Sequence, residues 1–227
     1  IVTPYLSKLA AEGVCYDNFY SPHPVCAPAR AAIITGMYAN SIGASHMRTG
    51  PWFGGRPSEK ILRDYQKAMP PEITPYEANP PPGVKMFTEY LRKQGYYCSN
   101  NSKEDYQFIK TPTAWDYSIN KAHWRNREPD QPFFSVFNIG VTHEAQIWKK
   151  QNDSLWVDQD LEVQAPPYLP DTEIAKQDIR RMYSNIKERD QKVGDILEGV
   201  KKEGLLDNTS IFWYTDHGGP LPRQKGM

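Results

Sequence analysis

Residues 133–139, Phe-Phe-Ser-Val-Phe-Asn-Ile, form a strongly apolar run that lies between Pro132 and Gly140. A continuous apolar run of this length, bounded by chain breakers, is typical of a buried central strand. Two further runs, 96–99 and 210–215, also predict strands. A fourth, Val14 to Tyr20, resembles them in composition before Pro22 breaks it.

Helical patterns alternate with these strands. Thr3 and Pro4 predict a helix start, and Gly13 predicts its end. Further helices are predicted over 28–35, 84–95 and 171–204, the last of which carries apolar residues at helical spacing. Strands that alternate with helices favour an α/β fold with a mostly parallel sheet, in which ligands bind beyond the carboxyl ends of the strands.

Length and composition bound the kind of protein. The chain has 227 residues, 39% of them hydrophobic, which suits one domain, residues 1–227, or part of one. The formal net charge is zero, so no basic field indicates nucleic acid as a partner. No apolar run of about 20 residues predicts a membrane span, and the first residues of the chain do not have the charged, apolar and small-residue pattern of a signal peptide. The abrupt start at Ile1 and the end at Met227 predict a domain that is cut at both ends.

The cysteines form a sparse and odd set, Cys15, Cys26 and Cys98, with no CxxC spacing. This pattern argues against a disulfide framework and against a cysteine-rich zinc site. Cys15 and Cys98 lie in the β-like runs and are expected to be buried thiols. Cys26 is left as the candidate for reactivity.

Cys26 opens the segment Cys26-Ala27-Pro28-Ala29-Arg30, which Thr35-Gly36 follows. The segment puts a thiol at a predicted helix start and a guanidinium one turn later, which predicts an anion site that contains a nucleophile. From the spacing alone, a buried cysteine beside a solvated arginine is an equally good interpretation.

The pattern C-x-P-x-R followed by T-G resembles the signature of the type I, formylglycine-dependent sulfatases. The resemblance extends over essentially the whole chain, and it implies an alkaline-phosphatase-like α/β sandwich whose first strand and C-terminal part lie outside these residues. It also implies that a maturation enzyme oxidises Cys26 to formylglycine, whose hydrated aldehyde attacks the sulfur of a sulfate ester or sulfamate. Arg30 would then hold the nucleophile.

The resemblance also implies a metal site. Asp216-His217-Gly218 follows the predicted strand 210–215 and matches the family's calcium-binding Asp-Asn/His pair. Carboxylate oxygen suits Ca²⁺, with Mg²⁺ as the alternative, better than imidazole does. His217 could instead orient a ligand or contact sulfate. The family's two upstream aspartates are not in this sequence, so we expect the chain alone to bind calcium weakly.

Four more residues stand at family positions around the sulfate, and one of them, Asp105, departs from the family residue. Lys103 and Asp105 stand where sulfatases often have G-K-x-H, and Asp105 takes the place of the histidine base. The alternative interpretation is that both are ordinary charged residues of a solvated loop. His143 matches a histidine that contacts sulfate or the leaving oxygen, and Lys225 matches a lysine that grips sulfate.

The substrate is expected to be a sulfated polysaccharide or glycosaminoglycan fragment. Residues 165–172 and 215–223 resemble heparan N-sulfatases and related bacterial polysaccharide sulfatases. His46 and Arg48 could contact a sugar or acid group of the substrate, and an exposed surface pair is the alternative interpretation. A periplasmic, extracellular or lysosomal location is implied by the family. The alternatives are a phosphohydrolase or phosphotransferase of the same superfamily, which Cys26 argues against, and a non-catalytic glycan-binding relative.

Overall fold

A computed structural model describes residues 1–47, 58–72, 76–219 and 221. Its regular elements belong to an α/β protein, and short 3₁₀ turns connect several of them. The helices are α1 (Pro4–Glu12), α2 (Cys26–Thr35), α3 (Glu59–Ala68), α4 (Phe87–Lys93), α5 (Ala145–Lys149) and α6 (Glu173–Lys202), the strands are β1 (Tyr97–Asn101), β2 (Tyr117–Ser118) and β3 (Phe133–Phe137), and the 3₁₀ turns are Ala39–Ile42, Trp124–Asn126, Gly140–Thr142 and Leu206–Asn208.

The three described strands form one sheet in the order β2-β1-β3, and both pairings are parallel. Cys98, Ser99 and Asn100 of β1 are buried because β1 has a neighbour on each side. The prediction of a mostly parallel α/β sheet is confirmed. The expectation that 133–139 is the central strand is wrong, because among the described strands β3 lies at the edge of the sheet and its residues are only half-buried.

The apolar core lies between the sheet and two helices. α2 contributes alanines and Ile34, which allow close packing, and α4 contributes Phe87 and Leu91. Phe134 of β3 meets Phe87 edge to face at 5.2 Å and stacks on Trp115 at 6.3 Å. These aromatic contacts fix α4 on the sheet, since edge-to-face and offset stacking are favourable ring geometries.

Two predicted strands are not strands in the structure. Residues 14–20 and 210–215 have no ladder partner among the described residues. Tyr16, Phe19 and Phe212 are largely exposed there, and Cys15 is exposed rather than buried. An apolar run becomes a strand only where a neighbouring strand satisfies its backbone groups, and composition does not report on that neighbour.

The predicted helices are confirmed with small shifts of their ends. Gly36 ends α2 in the left-handed conformation, with φ 67°, where a glycine carries no steric cost. α6 begins after Thr172, whose hydroxyl accepts a hydrogen bond from the Ala175 amide. Helix α3 was not predicted, although Ser58 caps it in the same way. Within the described residues no helix is both long and apolar enough to span a membrane.

The chain forms two compact units. Residues 1–19 and 139–214 make one unit, and residues 20–138 and 215–227 make the other. In the first unit α1 packs on α6, and the buried Asp190 of α6 accepts hydrogen bonds from the Tyr5 and Leu6 amides at the start of α1. The sheet and its core belong to the second unit, which also contains Cys26. The prediction of a single domain over 1–227 stays a prediction.

Candidate active site

Cys26 is the first residue of α2 and is only 7% exposed. Its thiol therefore lies where the helix has unsatisfied amide groups and the positive end of its dipole. The predicted strand before it is absent, but the predicted position at a helix start is confirmed. An anion brought to Cys26 would be stabilised by this helix end.

Asp105 and Lys103 both act on the Cys26 thiol. The thiol donates a hydrogen bond to the Asp105 carboxylate, and the Lys103 ammonium lies 3.4 Å from the same carboxylate. Burial raises the pKa of Cys26, the negative charge of Asp105 raises it further, and Lys103 opposes this effect. Asp105 has φ 49°, a left-handed conformation that is uncommon for a residue other than glycine. The segment is thus held in an unusual shape that keeps its charged groups at Cys26.

Arg30, one turn after Cys26, is 14% exposed at its side chain. Its Nε donates to the carbonyl oxygen of Glu104 at 2.8 Å, and its Nη2 donates to the Lys103 carbonyl at 2.6 Å and to Asn138 Oδ1 at 2.7 Å. The guanidinium therefore binds the backbone that carries Lys103 and Asp105. This arrangement excludes the interpretation of Arg30 as a solvated surface residue.

A closed set of hydrogen bonds lies at the carboxyl ends of the strands. Asn138 follows β3 and donates to Asn100 of β1 at 2.9 Å, and Asn100 donates to the Ser118 hydroxyl of β2 at 3.0 Å. Ser118 donates to the Glu104 carboxylate, which also pairs with Lys110. Since Arg30 joins Asn138 to the Glu104 backbone, the circuit closes. We call Arg30, Glu104, Ser118, Asn100 and Asn138 the polar ring.

The sequence interpretation missed four members of the polar ring. Asn100, Ser118 and Asn138 each stand at or just after the end of a strand. The rule that ligands and polar groups gather at the carboxyl ends of parallel strands could have found Asn138, because it directly follows the apolar run 133–137. No local signal distinguishes Glu104 from an exposed loop glutamate.

Asp216 lies near Arg30, with its Oδ2 3.8 Å from Arg30 Nη1. The His217 Nε2 lies 3.7 Å from Asp216 Oδ1. A hydrogen bond from the Gly218 amide to the Thr215 hydroxyl, and φ 99° at Gly218, make the turn that presents both side chains. The predicted pair thus adjoins the signature arginine, although it follows no strand.

The same residues can be tested against the implied calcium ion. A carboxylate oxygen is the donor that Ca²⁺ prefers, and the ion takes about six to eight such ligands. Across residues 1–47, 58–72, 76–219 and 221, no group of three or more His, Cys, Asp or Glu side chains is arranged to hold a metal ion. Asp216 therefore fits a calcium site as one ligand of several.

The structure describes two of the four remaining predicted residues. His143 belongs to the first unit, where it is exposed and its Nδ1 accepts a hydrogen bond from the Ala145 amide at 3.2 Å. His46 is exposed and its ring lies 4.8 Å from that of Tyr76. Arg48 and Lys225 lie outside the described residues, so their predicted roles stay predictions.

Comparison with known proteins identifies the family of the chain. The sulfatase family profile matches residues 1–226. The chain belongs to the sulfatase family. The resemblance inferred from the signature around Cys26 is thereby confirmed.

Individual relatives agree with this assignment. An ulvan-active sulfatase of Formosa agariphila is 45% identical, over 100% of this chain and 41% of its own length. The N-acetylgalactosamine-6-sulfatase of Homo sapiens is 23% identical over 99% of this chain and 47% of its own length. The N-sulphoglucosamine sulphohydrolase of Homo sapiens is 20% identical over 98% and 47%. The chain thus spans less than half the length of these three relatives.

Solved structures support the fold of this sulfatase-family chain. A proposed sulfatase from Bacteroides fragilis superposes with a TM-score of 0.51 over 92% of this chain and 55% of its own, at 17% identity. A Bacteroides thetaiotaomicron protein studied for glycosaminoglycan metabolism gives 0.52 over 90% and 51%, at 16% identity. At these identities the likeness concerns the fold, and it agrees with the predicted alkaline-phosphatase-like architecture.

Proposed function

We propose that this chain carries the catalytic centre of a sulfatase that hydrolyses sulfate esters or sulfamates on a sulfated glycan, through a formylglycine made from Cys26. The observation that carries the proposal is the convergence of Lys103, Asp105 and the Arg30-bound backbone on Cys26 at the start of α2. Membership of the sulfatase family supports the same activity.

The state of the Cys26 thiol argues against the unmodified cysteine as the nucleophile. Burial and the neighbouring Asp105 raise its pKa, so at neutral pH it is a protonated thiol and a poor nucleophile. A cysteine that acted as the nucleophile itself would be expected beside groups that lower its pKa. Formylglycine, once formed, would supply a hydrated aldehyde oxygen as the nucleophile in its place.

The chain's own residues then have separable roles. The start of α2 and the Lys103 ammonium would stabilise negative charge on the sulfate oxygens, because both offer positive charge at Cys26. Asp105, which is hydrogen-bonded to residue 26, would accept a proton from the hydroxyl that replaces the thiol. Arg30 would keep these groups together and hold the nucleophile through the helix that it shares with Cys26.

Further roles are proposed from the family and from position in the chain. As in the family, His143 would donate a hydrogen bond or proton to the leaving oxygen or nitrogen, and Lys225 would contact sulfate. His46 and Arg48, which follow the Cys26 signature in sequence, would contact the sugar. Asp216, assisted by His217, would contribute to a site for Ca²⁺ or Mg²⁺. The metal would neutralise part of the sulfate charge.

The substrate class is proposed from the relatives. The relatives named above act on ulvan, on N-acetylgalactosamine 6-sulfate groups and on N-sulphoglucosamine, according to their names. At 45% identity the ulvan-active sulfatase supports ulvan as the first substrate to test. We further propose a formylglycine-generating enzyme as the maturation partner, and an exported location, periplasmic, extracellular or lysosomal, as in the family.

The test is sulfate release by the full-length protein, co-expressed with a maturation enzyme. Ulvan oligosaccharides and N- and O-sulfated glycosaminoglycan fragments are incubated with the wild type, with Cys26→Ala and with Cys15→Ala. We expect release by the wild type and by the Cys15→Ala control, whose exposed side chain lies outside the site. We expect none from Cys26→Ala.

Mass spectrometry of the peptide that contains Cys26, with an aminooxy probe for the aldehyde, completes the test. A Cys26 peptide that stays unmodified in a host with an active maturation enzyme would contradict the catalytic proposal and favour a glycan-binding role. An aldehyde at residue 26 without sulfate release from any glycan would contradict the proposed substrate class.

A further inference from the structure

We propose that Glu104 is a positioning residue, whose carboxylate holds the segment Lys103 to Asp105 against Cys26 through the polar ring. The inference rests on the proposed function for its kinetic consequence, but its geometric part concerns Cys26 in any state. Glu104 lies between the two residues that act on Cys26 and does not act on the thiol itself.

The side chains of this segment are turned in two directions. Lys103 and Asp105 pair with each other at 3.4 Å and influence the Cys26 thiol. The Glu104 side chain reaches instead to Ser118 of β2 and to Lys110. Glu104 therefore fastens one side of the segment to the sheet while its neighbours face the cysteine.

The backbone of Glu104 is fastened as well. Its carbonyl oxygen accepts from Arg30 Nε at 2.8 Å, and the preceding carbonyl accepts from Arg30 Nη2. The backbone of the segment is thus held by Arg30 of α2, and the Glu104 side chain is held by Ser118 of β2. Loss of either attachment would let the segment move, since Asp105 occupies a strained backbone conformation with φ 49°.

Burial makes the loss of any of these hydrogen bonds more costly. The Glu104 side chain is 18% exposed, and Asn100, which donates to Ser118, is fully buried. A carboxylate that is largely removed from water needs partners, which Ser118 and Lys110 supply. The ring is therefore a set of satisfied polar groups at the strand ends, and removal of one member leaves the next without its partner.

The experiment follows the position of the Asp105 carboxylate by the pKa of the Cys26 thiol. The full-length protein is produced without the maturation enzyme, and labelling of the Cys26 peptide by iodoacetamide is followed against pH by mass spectrometry. In Glu104→Ala we expect the apparent pKa of Cys26 to fall, and its labelling profile to move to lower pH, because the Asp105 charge moves away. Ser118→Ala should shift it in the same direction, and Glu104→Gln, which keeps an oxygen for Ser118, should stay close to the wild type.

The matched control is Glu89→Ala. Glu89 is buried to a similar extent, 12% exposed at its side chain, and accepts hydrogen bonds from the Thr113 hydroxyl and the Met86 amide outside the polar ring. We expect Glu89→Ala to lower stability without moving the Cys26 labelling profile. A folded Glu104→Ala or Ser118→Ala protein with a wild-type profile would overturn the proposal.

A kinetic measurement on the matured protein separates positioning from substrate contact. In Glu104→Ala we expect kcat for sulfate release to fall by about 10- to 100-fold with KM changed by less than about threefold, and Glu104→Gln should recover most of kcat. A rise in KM at constant kcat would overturn the positioning role. If the wild type releases no sulfate, the proposed function fails, and the thiol profiles alone decide whether Glu104 positions the segment. If Glu104→Ala does not fold, Ser118→Ala decides in its place.

Discussion

Asp105 accepts a hydrogen bond from the Cys26 thiol while holding the Lys103 ammonium at 3.4 Å, so one carboxylate joins the proposed nucleophile position to the proposed sulfate-binding cation. Burial is the larger cause of the raised pKa at Cys26, and Asp105 adds to it. The two contributions can be separated by a substitution that removes only the charge.

Asp105→Asn should lower the pKa of Cys26 in the unmodified protein, but not to its ordinary value, because burial remains. A raised pKa delays thiolate formation to higher pH, so the variant should be alkylated faster at any pH below the wild-type midpoint. In the matured protein we expect kcat to fall about 100-fold, since the proposed base is lost. Asp64→Asn, at an exposed ion pair of α3, is the control for loss of a carboxylate charge. Unchanged alkylation and kcat in Asp105→Asn would contradict both roles.

Arg30→Lys should disable the site although it keeps the positive charge. Arg30 donates from Nε and Nη2 to three oxygen atoms, and a single ammonium group cannot reproduce that planar arrangement. We expect the free energy of unfolding to fall by roughly 2–4 kcal/mol, and kcat to fall at least about 100-fold. Chemical denaturation and sulfate release measure the two effects.

The control for this prediction is Arg92→Lys in the same unit. Arg92 binds Asp116 through Nε and Nη2 and also donates to the Thr113 carbonyl, so it is a comparable arginine away from Cys26. We expect this variant to lose stability and to keep its kcat. Equal losses of kcat in both variants would mean that Arg30 acts only through folding.

The sequence predicted those elements whose signals are local. Pro4 and Gly13 mark the ends of α1, and Gly36 marks the end of α2. The strands over 14–20 and 210–215 were predicted wrongly, because a strand depends on a partner that is distant in sequence. For the same reason the run 133–139 was predicted as central, whereas β1 holds that place among the described strands.

The candidate site divides in the same way. Cys26 and Arg30 could be found because one helical turn separates them, and a motif of five residues records that spacing. The polar ring could not be found, since Glu104, Ser118 and Asn138 meet only when β1 lies between β2 and β3. The spacing of residues in the sequence does not indicate which loops meet at the edge of the sheet.

The buried Cys98 should make stability depend on alkaline pH. Burial, with the charge of Asp116 in second place, raises the pKa of its thiol to about 12 from an ordinary value of 9.0. A group whose pKa is raised by folding stabilises the folded state fully below its ordinary pKa and loses that contribution as pH rises through the folded value. The wild type should therefore lose about 2 kcal/mol from this residue between pH 8 and pH 10.5.

Cys98→Ala removes this dependence. At pH 8 we expect the substitution to cost roughly 1–3 kcal/mol, because Cys98 is fully buried in the core. At pH 10.5 the difference from the wild type should shrink or change sign. Urea unfolding at the two pH values measures it, with the exposed Cys15→Ala as a control expected to match the wild type at both. An equal cost at both pH values would contradict the assigned pKa.

Gly194→Ala should destabilise the first unit, although alanine is the better helix former. A Cβ built on Gly194 of α6 would lie 2.5 Å from the ring of Tyr5 in α1, closer than such atoms approach in proteins. We expect a loss of about 1–3 kcal/mol from the clash, against a gain of up to about 1 kcal/mol from helix propensity. Gly140→Ala, in a 3₁₀ turn of the same unit, is a control for the clash alone, because its new Cβ would meet nothing within 4 Å.

The sign of the effect of Gly194→Ala should reverse when the ring is removed. In a Tyr5→Ala background the clash is absent and only the helix propensity remains, so Gly194→Ala should stabilise by about 0.5–1 kcal/mol. A double-mutant cycle from urea unfolding would then give a coupling larger than about 1 kcal/mol between the two positions. Additive effects would mean that α1 does not pack through Tyr5 on Gly194, and the contact between α1 and α6 would have to rest on Asp190 and its bonds to the Tyr5 and Leu6 amides.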